Sequence, residues 1–377
     1  MKKIPLIKPD LPAFRDVEGP FREALENGRI TNFGKYVAQF EEEAGKYLGT
    51  HVATVSSGTQ GLIFTLQSFG LQKSQKVILP SFSFVATAQA ILYAGGIPLF
   101  AEIEGDLTMS PSDLEVLLAK HGDVTAVLPV HTYGLPCRVG EIQSVVEHAR
   151  KKRGHLIHLF YDAAHAFGSS LGGKRIGTFW EAEVFSLSVT KALVCVEGGL
   201  VSSSDPKLIH RIRKMRNYGI EENYNAHWPG MNGKMSEFHA IVGLKNLERL
   251  PEILSARAKK AAFYKRQIEE KTPFRTIPVP SNVTHTFKDF TIVVPPEMKG
   301  RRDAIIQFLA DRGIETRAYF YPPIHEQKFF RRFATRPLPL TEDLSRRVIT
   351  LPFFTRISEP EMEEVAVALQ EAERSLG

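Results

Sequence analysis

From residue 50 to residue 205, the pattern of apolar and polar residues alternates between short β-branched runs and stretches with helical spacing. Runs such as "KVILP" and "TAVLPV" contain the branched apolar residues that are typical of buried strands. Between them, segments such as "PSDLEVLLAKHG" place apolar residues at helical spacing. Strands that alternate with helices of this length predict βαβ units, and hence a mostly parallel sheet covered by helices on both faces.

The later part of the chain shows a different order of elements. Residues 236–271 have the spacing of one long helix with a bend at Pro251. A second, smaller unit is predicted from about residue 275. Its predicted strands are 285–295 and 313–322, and its predicted helices are 301–313 and 358–376. We therefore predict a large domain at residues 1–250 and a smaller α/β domain at residues 251–377.

Composition is ordinary for a globular protein of 377 residues, with 43% hydrophobic and 24% charged side chains. Two cysteines, Cys137 and Cys195, are too few for a disulfide framework, so a reducing cytoplasm is the expected location. The first residues do not form a signal peptide, because Pro5 and Pro9 interrupt any apolar core. The longest apolar stretch falls well short of the roughly 20 residues that cross a membrane.

The net charge of +6 raises the question of a polyanionic partner. The basic clusters "ARKKRG", "RIRKMR" and "KGRR" lack the interleaved aromatic residues of a nucleic-acid surface. We therefore expect neither nucleic acid nor membrane as a partner. An anionic small substrate, or solubility alone, accounts for the charge.

Lys191 stands in the apolar segment "FSLSVTKALVCVEGG", which is poor surroundings for a solvated charge. Taken alone, it is better explained as a structural lysine whose stem is buried. Another segment, "VATVSSGTQGL", passes from strand to helix through Ser57, Gly58 and Thr59. Free N–H groups at a helix start, with hydroxyl groups beside them, form a phosphate site, although serine and threonine are also common N-caps.

Asp162 ends an apolar strand in "LFYDAAHAFG", and His165 follows three residues later. Ligands of α/β sheets bind at the carboxyl ends of parallel strands, where this carboxylate is expected. The alternative is a helix cap followed by a histidine on a helix face. The chain has neither the G-x-G-x-x-G fingerprint nor a P-loop, and no metal-ligand set is predicted.

A phosphate cradle, a strand-end aspartate and an apolar lysine, in that order, match the needs of pyridoxal 5′-phosphate (PLP). The lysine forms a Schiff base with the aldehyde of PLP, and the aspartate pairs with its ring nitrogen. An adjacent carboxylate raises the pKa of a cation by about 1–3 units, which keeps that nitrogen protonated.

A set of short motifs then extends this pattern over nearly the whole chain. They are "GRITNFGKYVAQFEEEAGKYLG", "SSGTQGL", "VILPSFSFVATAQAI", "PVHTYG", "YDAAHAFG", "FSLSVTKALVCVEGG", "GMNGKMSEFHAIVGL" and "YPPIHEQ". Together and in this order, they resemble the DegT/StrS-type nucleotide-sugar aminotransferases, which are PLP enzymes of fold type I. The resemblance implies a large domain with a mostly parallel seven-stranded sheet between helices, and a smaller C-terminal α/β domain.

The resemblance also implies the roles of the residues that bind the cofactor. Lys191 would carry the Schiff base and then move the proton between the donor's Cα and C4′ of the cofactor. Asp162 would pair with the ring nitrogen, and His165 would lie beside the ring and its 3-hydroxyl. The phosphate would be held by Ser57, Gly58, Thr59 and Ser186.

Four further positions match the family's cofactor and substrate contacts. Phe84 matches an aromatic residue that stacks on the cofactor ring, although without the motif a phenylalanine of a helix core would explain it equally well. Asn232 matches an asparagine that reaches the cofactor phosphate of the neighbouring subunit, which implies a homodimer with shared active sites. Lys234, where the family often has arginine, matches a basic position near the nucleotide diphosphate, and His325 in "YPPIHEQ" is expected at the substrate.

The predicted reaction transfers an amino group from L-glutamate, through pyridoxamine phosphate, to a keto group of a nucleotide-linked 6-deoxy sugar. Lys191 disfavours the relatives that have histidine there and act as dehydratases. The form "NGKMSE" favours amination at C4, with dTDP-4-keto-6-deoxyglucose as substrate, in O-antigen, polysaccharide or glycosylated-metabolite synthesis. The alternatives are amination at C3, a PLP-binding regulator without turnover, and a PLP enzyme of another reaction type, such as a lyase.

Overall fold

A seven-stranded sheet forms the centre of the larger part of the computed structural model, which describes residues 3–376. Its strands are β1 (His51–Val55), β2 (Lys76–Pro80), β3 (Ile97–Ala101), β4 (Val124–Val127), β5 (His158–Leu159 with Tyr161–Asp162), β6 (Glu183–Ser186) and β7 (Gly199–Ser203). The strand order is 3-2-4-5-6-7-1, and every strand except β7 runs in the same direction. Phe160 interrupts β5, whose first half pairs with β4 and whose second half pairs with β6. The predicted mostly parallel seven-stranded sheet is therefore confirmed.

Helices cover both faces of this sheet. They are α1 (Phe14–Glu26), α2 (Lys35–Leu48), α3 (Gly58–Ser68), α4 (Val85–Tyr93), α5 (Pro111–Lys120), α6 (Val139–Arg153), α7 (Pro206–Met215) and α8 (Glu237–Lys271). Successive side chains of β2 show the alternation, since Val77 and Leu79 pack with α3 and α4, while Ile78 packs with α5 and α6. Such strands are buried on both sides, which explains their continuous apolar runs.

The smaller part contains an antiparallel sheet with the order 8-9-10 and a separate apolar core. Its elements are β8 (Arg275–Thr276), β9 (Phe290–Val293), α9 (Arg302–Ala310), α10 (Pro339–Ser345), β10 (Val348–Leu351) and α11 (Glu359–Leu376). Helix α8 joins the two cores, because Leu247 packs in the larger core and Tyr264 in the smaller one. Ile4, near the start of the chain, also packs in the smaller core. The domain division at residue 250 falls inside α8 and stays a prediction.

The predicted strand at residues 313–322 is wrong. Arg317 makes a single antiparallel bridge with Thr350, and the chain then turns toward the larger part. There Tyr319 and Phe320 pack against aromatic residues of the larger part, so tertiary packing overrides the strand propensity of this segment. The predicted strand at 285–295 is also shorter, since β9 begins at Phe290.

Short strand pairs complete the structure outside the two sheets. They are formed by Ser170–Leu171, Lys174–Arg175, Ile220–Glu222, Asn225–Ala226 and Val283–Thr284. Within residues 3–376, no helix has the length and apolar character needed to cross a bilayer.

Candidate active site

A cavity of about 340 Å³ opens at the carboxyl ends of β1, β5 and β6. Ligand sites of α/β sheets lie at this edge, and the volume is that of a small-molecule pocket. Most of the predicted site residues line it: Ser57, Gly58, Thr59, Phe84, Asp162, His165, Ser186 and Lys191. Residues up to 134 positions apart in the sequence therefore meet in one cavity, as the order of the motifs predicted.

One end of the cavity is the start of α3. The Ser57 hydroxyl caps this helix by accepting a hydrogen bond from the Gln60 N–H at 3.1 Å. The N–H groups of Gly58 and Thr59 have no acceptor within the described part of the chain. A Cβ on Gly58 would lie 3.0 Å from the Cβ of Ser186, so glycine allows the two segments to approach closely. Free N–H groups and hydroxyls at a helix start fit a phosphate group.

Asp162 lies at the floor of the cavity and is only 5% exposed. Its Oδ2 accepts a hydrogen bond from Thr87 Oγ1 at 2.8 Å, and its Oδ1 accepts one from the Ala164 N–H at 3.0 Å. Burial raises the pKa of Asp162, while these two donors act in the opposite direction. A buried carboxylate of this kind is stabilised by a cation beside it, such as a protonated ring nitrogen.

His165 is buried beside Asp162, and its ring stacks on Phe320 with centroids 6.2 Å apart. Its Nδ1 accepts a hydrogen bond from the backbone N–H of Tyr133 at 3.2 Å, so Nδ1 itself carries no proton. Burial lowers the pKa of His165 well below its usual value, so the ring is neutral. The proton of a neutral ring with this acceptor is on Nε2, which makes Nε2 a hydrogen-bond donor.

Lys191 lines the cavity with a partly buried side chain. Burial, followed by the charge of nearby Lys288, lowers the pKa of Lys191 to about 7. Lys288 is itself buried and paired with Asp289, whose two carboxylate oxygens both lie 2.8 Å from its Nζ. A lysine with this pKa has a substantial neutral fraction near neutral pH, which is the form that acts as nucleophile and base.

Phe84 forms part of the cavity mouth and is 50% exposed. Its ring is stacked at 6.5 Å from the ring of Tyr319, which also lines the cavity. The structure therefore places Phe84 outside the buried core, on a surface that a flat ring could contact.

Three predicted residues do not line this cavity. Asn232 is exposed and pairs with Asn217 through a single bridge. Lys234 donates a hydrogen bond to Asn217 Oδ1 at 3.3 Å and lies above the Tyr218 ring. His325 is buried, and its Nδ1 lies 2.6 Å from the hydroxyl of Ser81.

Several residues of the site were not identified from the sequence. Thr87 follows Phe84 by three residues, and this spacing could have placed both on one face of α4. Tyr133 and Glu197 lie in the motifs "PVHTYG" and "FSLSVTKALVCVEGG". Tyr319 and Phe320 come from the distant segment that was predicted as a strand, and no local pattern points to them.

Comparison with known proteins gives one consistent result. The family model of the DegT/DnrJ/EryC1/StrS aminotransferase family matches residues 16–370. The chain is 29% identical to GDP-perosamine synthase of Vibrio cholerae, covering 91% of this chain and 92% of that protein. It is 32% identical to dTDP-4-amino-4,6-dideoxy-D-glucose transaminase of Escherichia coli, with 95% of each covered. The solved structure of DesI in the presence of its TDP-sugar product has a TM-score of 0.91 at 30% identity, covering 100% of this chain and 94% of DesI.

Proposed function

Because the chain belongs to the DegT/DnrJ/EryC1/StrS aminotransferase family, we propose that it transfers an amino group from L-glutamate to a keto group of a nucleotide-linked 6-deoxy sugar. The predicted family, the fold type I architecture, the aminotransferase activity and the PLP cofactor are confirmed. Nucleotide-sugar amination follows from the same relatives. The amino donor, the particular sugar and the subunit arrangement are the proposal.

The observation that carries this proposal is the lining of the cavity. It offers free N–H groups for a phosphate, a buried carboxylate for a cationic ring nitrogen, and an amine of lowered pKa. These three groups fit the three polar ends of PLP. When bound, PLP supplies an electron sink for the negative charge that develops at the donor's Cα.

Each residue has a separate task in the proposed reaction. Ser57, Gly58 and Ser186 bind the phosphate, and Asp162 keeps the ring nitrogen protonated. The Nε2–H of His165 would be the donor available to the ring's 3-oxygen. Lys191 would be the residue that attaches the cofactor, and its neutral amine would move a proton between the donor's Cα and C4′. The lowered pKa of Lys191 favours both tasks, since each requires the neutral amine.

Amination at C4 of a dTDP-linked sugar is the form that we favour. The name of the E. coli relative specifies a 4-amino-4,6-dideoxy sugar carried on dTDP. DesI was solved with a TDP-sugar product. Another relative acts in GDP-perosamine synthesis, so GDP-linked keto sugar is the second probe. Amination at C3 remains the alternative regiochemistry.

We further propose a homodimer in which Asn232 of each chain reaches the other chain's cofactor phosphate. Asn232 is exposed and does not line the cavity of its own chain. Its neighbours Tyr218 and Met231 are 50% and 41% exposed. Apolar side chains exposed around a polar residue are typical of a protein interface.

The test combines the pure enzyme with L-glutamate and dTDP-4-keto-6-deoxyglucose. We expect 2-oxoglutarate to form in step with an amino sugar, and an NMR spectrum of the product to place the nitrogen at C4. Lys191→Ala protein is the control for uncatalysed exchange. A protein that binds PLP but forms neither product would be a regulator, and nitrogen at C3 would correct the regiochemistry.

A further inference from the structure

Of the two carboxylates that line the cavity, Asp162 and Glu197, the proposed reaction does not use Glu197. Asp162, His165, Lys191 and Glu197 all line the cavity, and the first three have the tasks described above. Glu197 is exposed, and its carboxylate makes no hydrogen bond or ion pair with the described part of the chain. It is therefore a free acceptor that faces whatever enters the cavity.

The backbone holds Glu197 in this position. Leu187 accepts a hydrogen bond from the Cys195 N–H at 2.8 Å and donates its own N–H to Gly198 O at 2.9 Å, so Val196 and Glu197 bulge out between these two bonds. Val196, a β-branched residue, has φ +67°, a conformation that costs free energy for such a side chain. Strained backbone of this kind persists where the surrounding structure fixes it, often at binding sites.

Two close contacts fix the residues that follow. A Cβ on Gly198 would lie 2.5 Å from Cε of Met235, just before α8. A Cβ on Gly199 would lie 2.4 Å from the backbone carbon of Ser57 in the phosphate cradle. The segment that carries Glu197 is therefore held between the phosphate cradle and the start of α8.

The charge of Glu197 limits what it can bind. It lies close enough to Lys191 and His239 for its charge to oppose the lowering of their pKa values by burial. A carboxylate accepts hydrogen bonds and repels other anions. The diphosphate of the substrate and the carboxylates of L-glutamate are anions. The ammonium group of L-glutamate is also a donor, but its nitrogen is the atom that reacts at the cofactor, so it does not stay with this acceptor. The sugar ring is uncharged and carries hydroxyl donors that the reaction leaves in place. The ring is thus the part of the two substrates that suits this acceptor.

We propose that Glu197 is a specificity-determining residue that accepts hydrogen bonds from sugar hydroxyls next to the carbon that receives the amino group. This inference rests on the proposed function and goes beyond it by assigning the sugar subsite. Glu197 then contributes to one half of the reaction only, because L-glutamate brings no hydroxyl to the cavity.

The experiment follows each half-reaction separately in the PLP-loaded enzyme by its absorbance spectrum. In Glu197→Ala, conversion by L-glutamate should stay within about twofold of wild type. The return step with dTDP-4-keto-6-deoxyglucose should lose about 10- to 150-fold in kcat/KM, the value of a hydrogen bond to a charged group. Glu197→Gln keeps one acceptor oxygen and should lose less. Glu147→Gln, which removes an exposed charge from α6, is the matched control and should change neither step.

A sugar analogue sharpens the test. With dTDP-4-keto-3,6-dideoxyglucose, which lacks the hydroxyl beside C4, the wild type should lose activity while Glu197→Ala loses little more. An equal loss in the L-glutamate step would overturn the inference, as would equal sensitivity of wild type and variant to the missing hydroxyl. If Glu197→Ala unfolds at a lower temperature than the wild type, the near-isosteric Glu197→Gln is compared with the wild type in its place.

Failure of the proposed function would give a different result. L-glutamate would convert the wild type while no dTDP- or GDP-linked keto sugar converted it back, and both proposals would then be wrong.

Discussion

The cavity has a floor, formed by Asp162, His165 and Lys191, and a rim, formed by Phe84 and Glu197. The two regions differ in whether their side chains find partners within the chain. At the floor, Asp162 and His165 are buried, and each has its hydrogen-bond partners within the chain. At the rim, Phe84 is half exposed and Glu197 has no described partner. The floor is preorganised for one cofactor, whereas the rim is open to the substrate. Changes at the floor should therefore slow every step, and changes at the rim should affect binding or one substrate.

The largest effect is expected at the floor, for Lys191→Ala. Removing the amine removes both the covalent attachment and the proton transfer, and general acid–base catalysis alone contributes about 10²- to 10⁴-fold. We expect no measurable turnover at any PLP concentration. Borohydride reduction of the wild type, followed by peptide mapping, should label the peptide that contains Lys191. Lys120→Ala on α5 is the control and should keep full activity, and a label on any other lysine would contradict the assignment.

The next effect concerns Asp162→Asn. Asparagine keeps an oxygen for the Thr87 hydroxyl, so the fold should remain intact. It loses the charge that raises the ring nitrogen's pKa by about 1–3 units, so the half-reaction with L-glutamate should slow by about 10- to 1000-fold. Thr87→Val should slow it less, because the carboxylate stays charged although its pKa rises. Single-turnover rates near wild type in Asp162→Asn would mean that Asp162 acts only as a cap.

The residues of the floor and of the phosphate cradle are also the ones that were most readily identified from the sequence. Lys191, Asp162 and Ser57 each lie in a short motif at the end of a strand or the start of a helix, where local pattern and position in the sheet coincide. Thr87 escaped prediction because its bond to Asp162 joins residues 75 apart, and neither residue alone indicates the other. The same holds for Phe320, whose contact with His165 depends on how the smaller part packs on the larger one.

The rim was harder to predict for a physical reason. An exposed residue such as Glu197 carries no apolar periodicity, and its role depends on a molecule that is not part of the chain. His325 shows the opposite difficulty, since its motif indicated the substrate while the structure buries it against Ser81. Motifs identify which residues matter more readily than they identify what each one contacts.

The pH dependence of covalent PLP capture tests the floor without turnover. In cofactor-free protein, the neutral amine of Lys191 is the reacting form, and its pKa is lowered to about 7. The rate of capture should therefore rise about tenfold per pH unit well below pH 7, roughly 50-fold from pH 5 to pH 7, and level off above about pH 8. Stopped-flow absorbance measures this rate, with Nα-acetyl-lysine as the reference amine. A rate that continued to rise to pH 10 would show an ordinary lysine.

Mixing two inactive or impaired variants tests whether Asn232 completes the cavity of the partner subunit. Losing the Asn232 hydrogen bond to a phosphate should weaken PLP binding by about 10- to 150-fold, so Asn232→Ala should be impaired at limiting PLP. If Asn232 acts across a two-fold interface, a mixed dimer with Lys191→Ala has one site with both lesions and one intact site. Activity at limiting PLP should then exceed that of either parent. Subunit exchange confirmed by mass spectrometry without any recovery would show that Asn232 does not act across the interface.

The smallest effect is expected for Phe84→Ala at the rim. An aromatic pair contributes about 0.5–1.5 kcal/mol beyond the area that it buries, so loss of the ring should weaken PLP binding by about 2- to 12-fold. The rate at saturating PLP should fall less than in Asp162→Asn, because Phe84 supports the cofactor and transfers no proton. Phe84→Tyr keeps the stacking surface and should bind PLP nearly as well as wild type. Titration of the cofactor-free proteins with PLP measures these affinities, and thermal unfolding without PLP supplies the control. Since half of the Phe84 side chain is exposed, its removal should hardly change that unfolding. A large drop in stability at unchanged PLP affinity would instead show that Phe84 stabilises the fold and does not bind the cofactor.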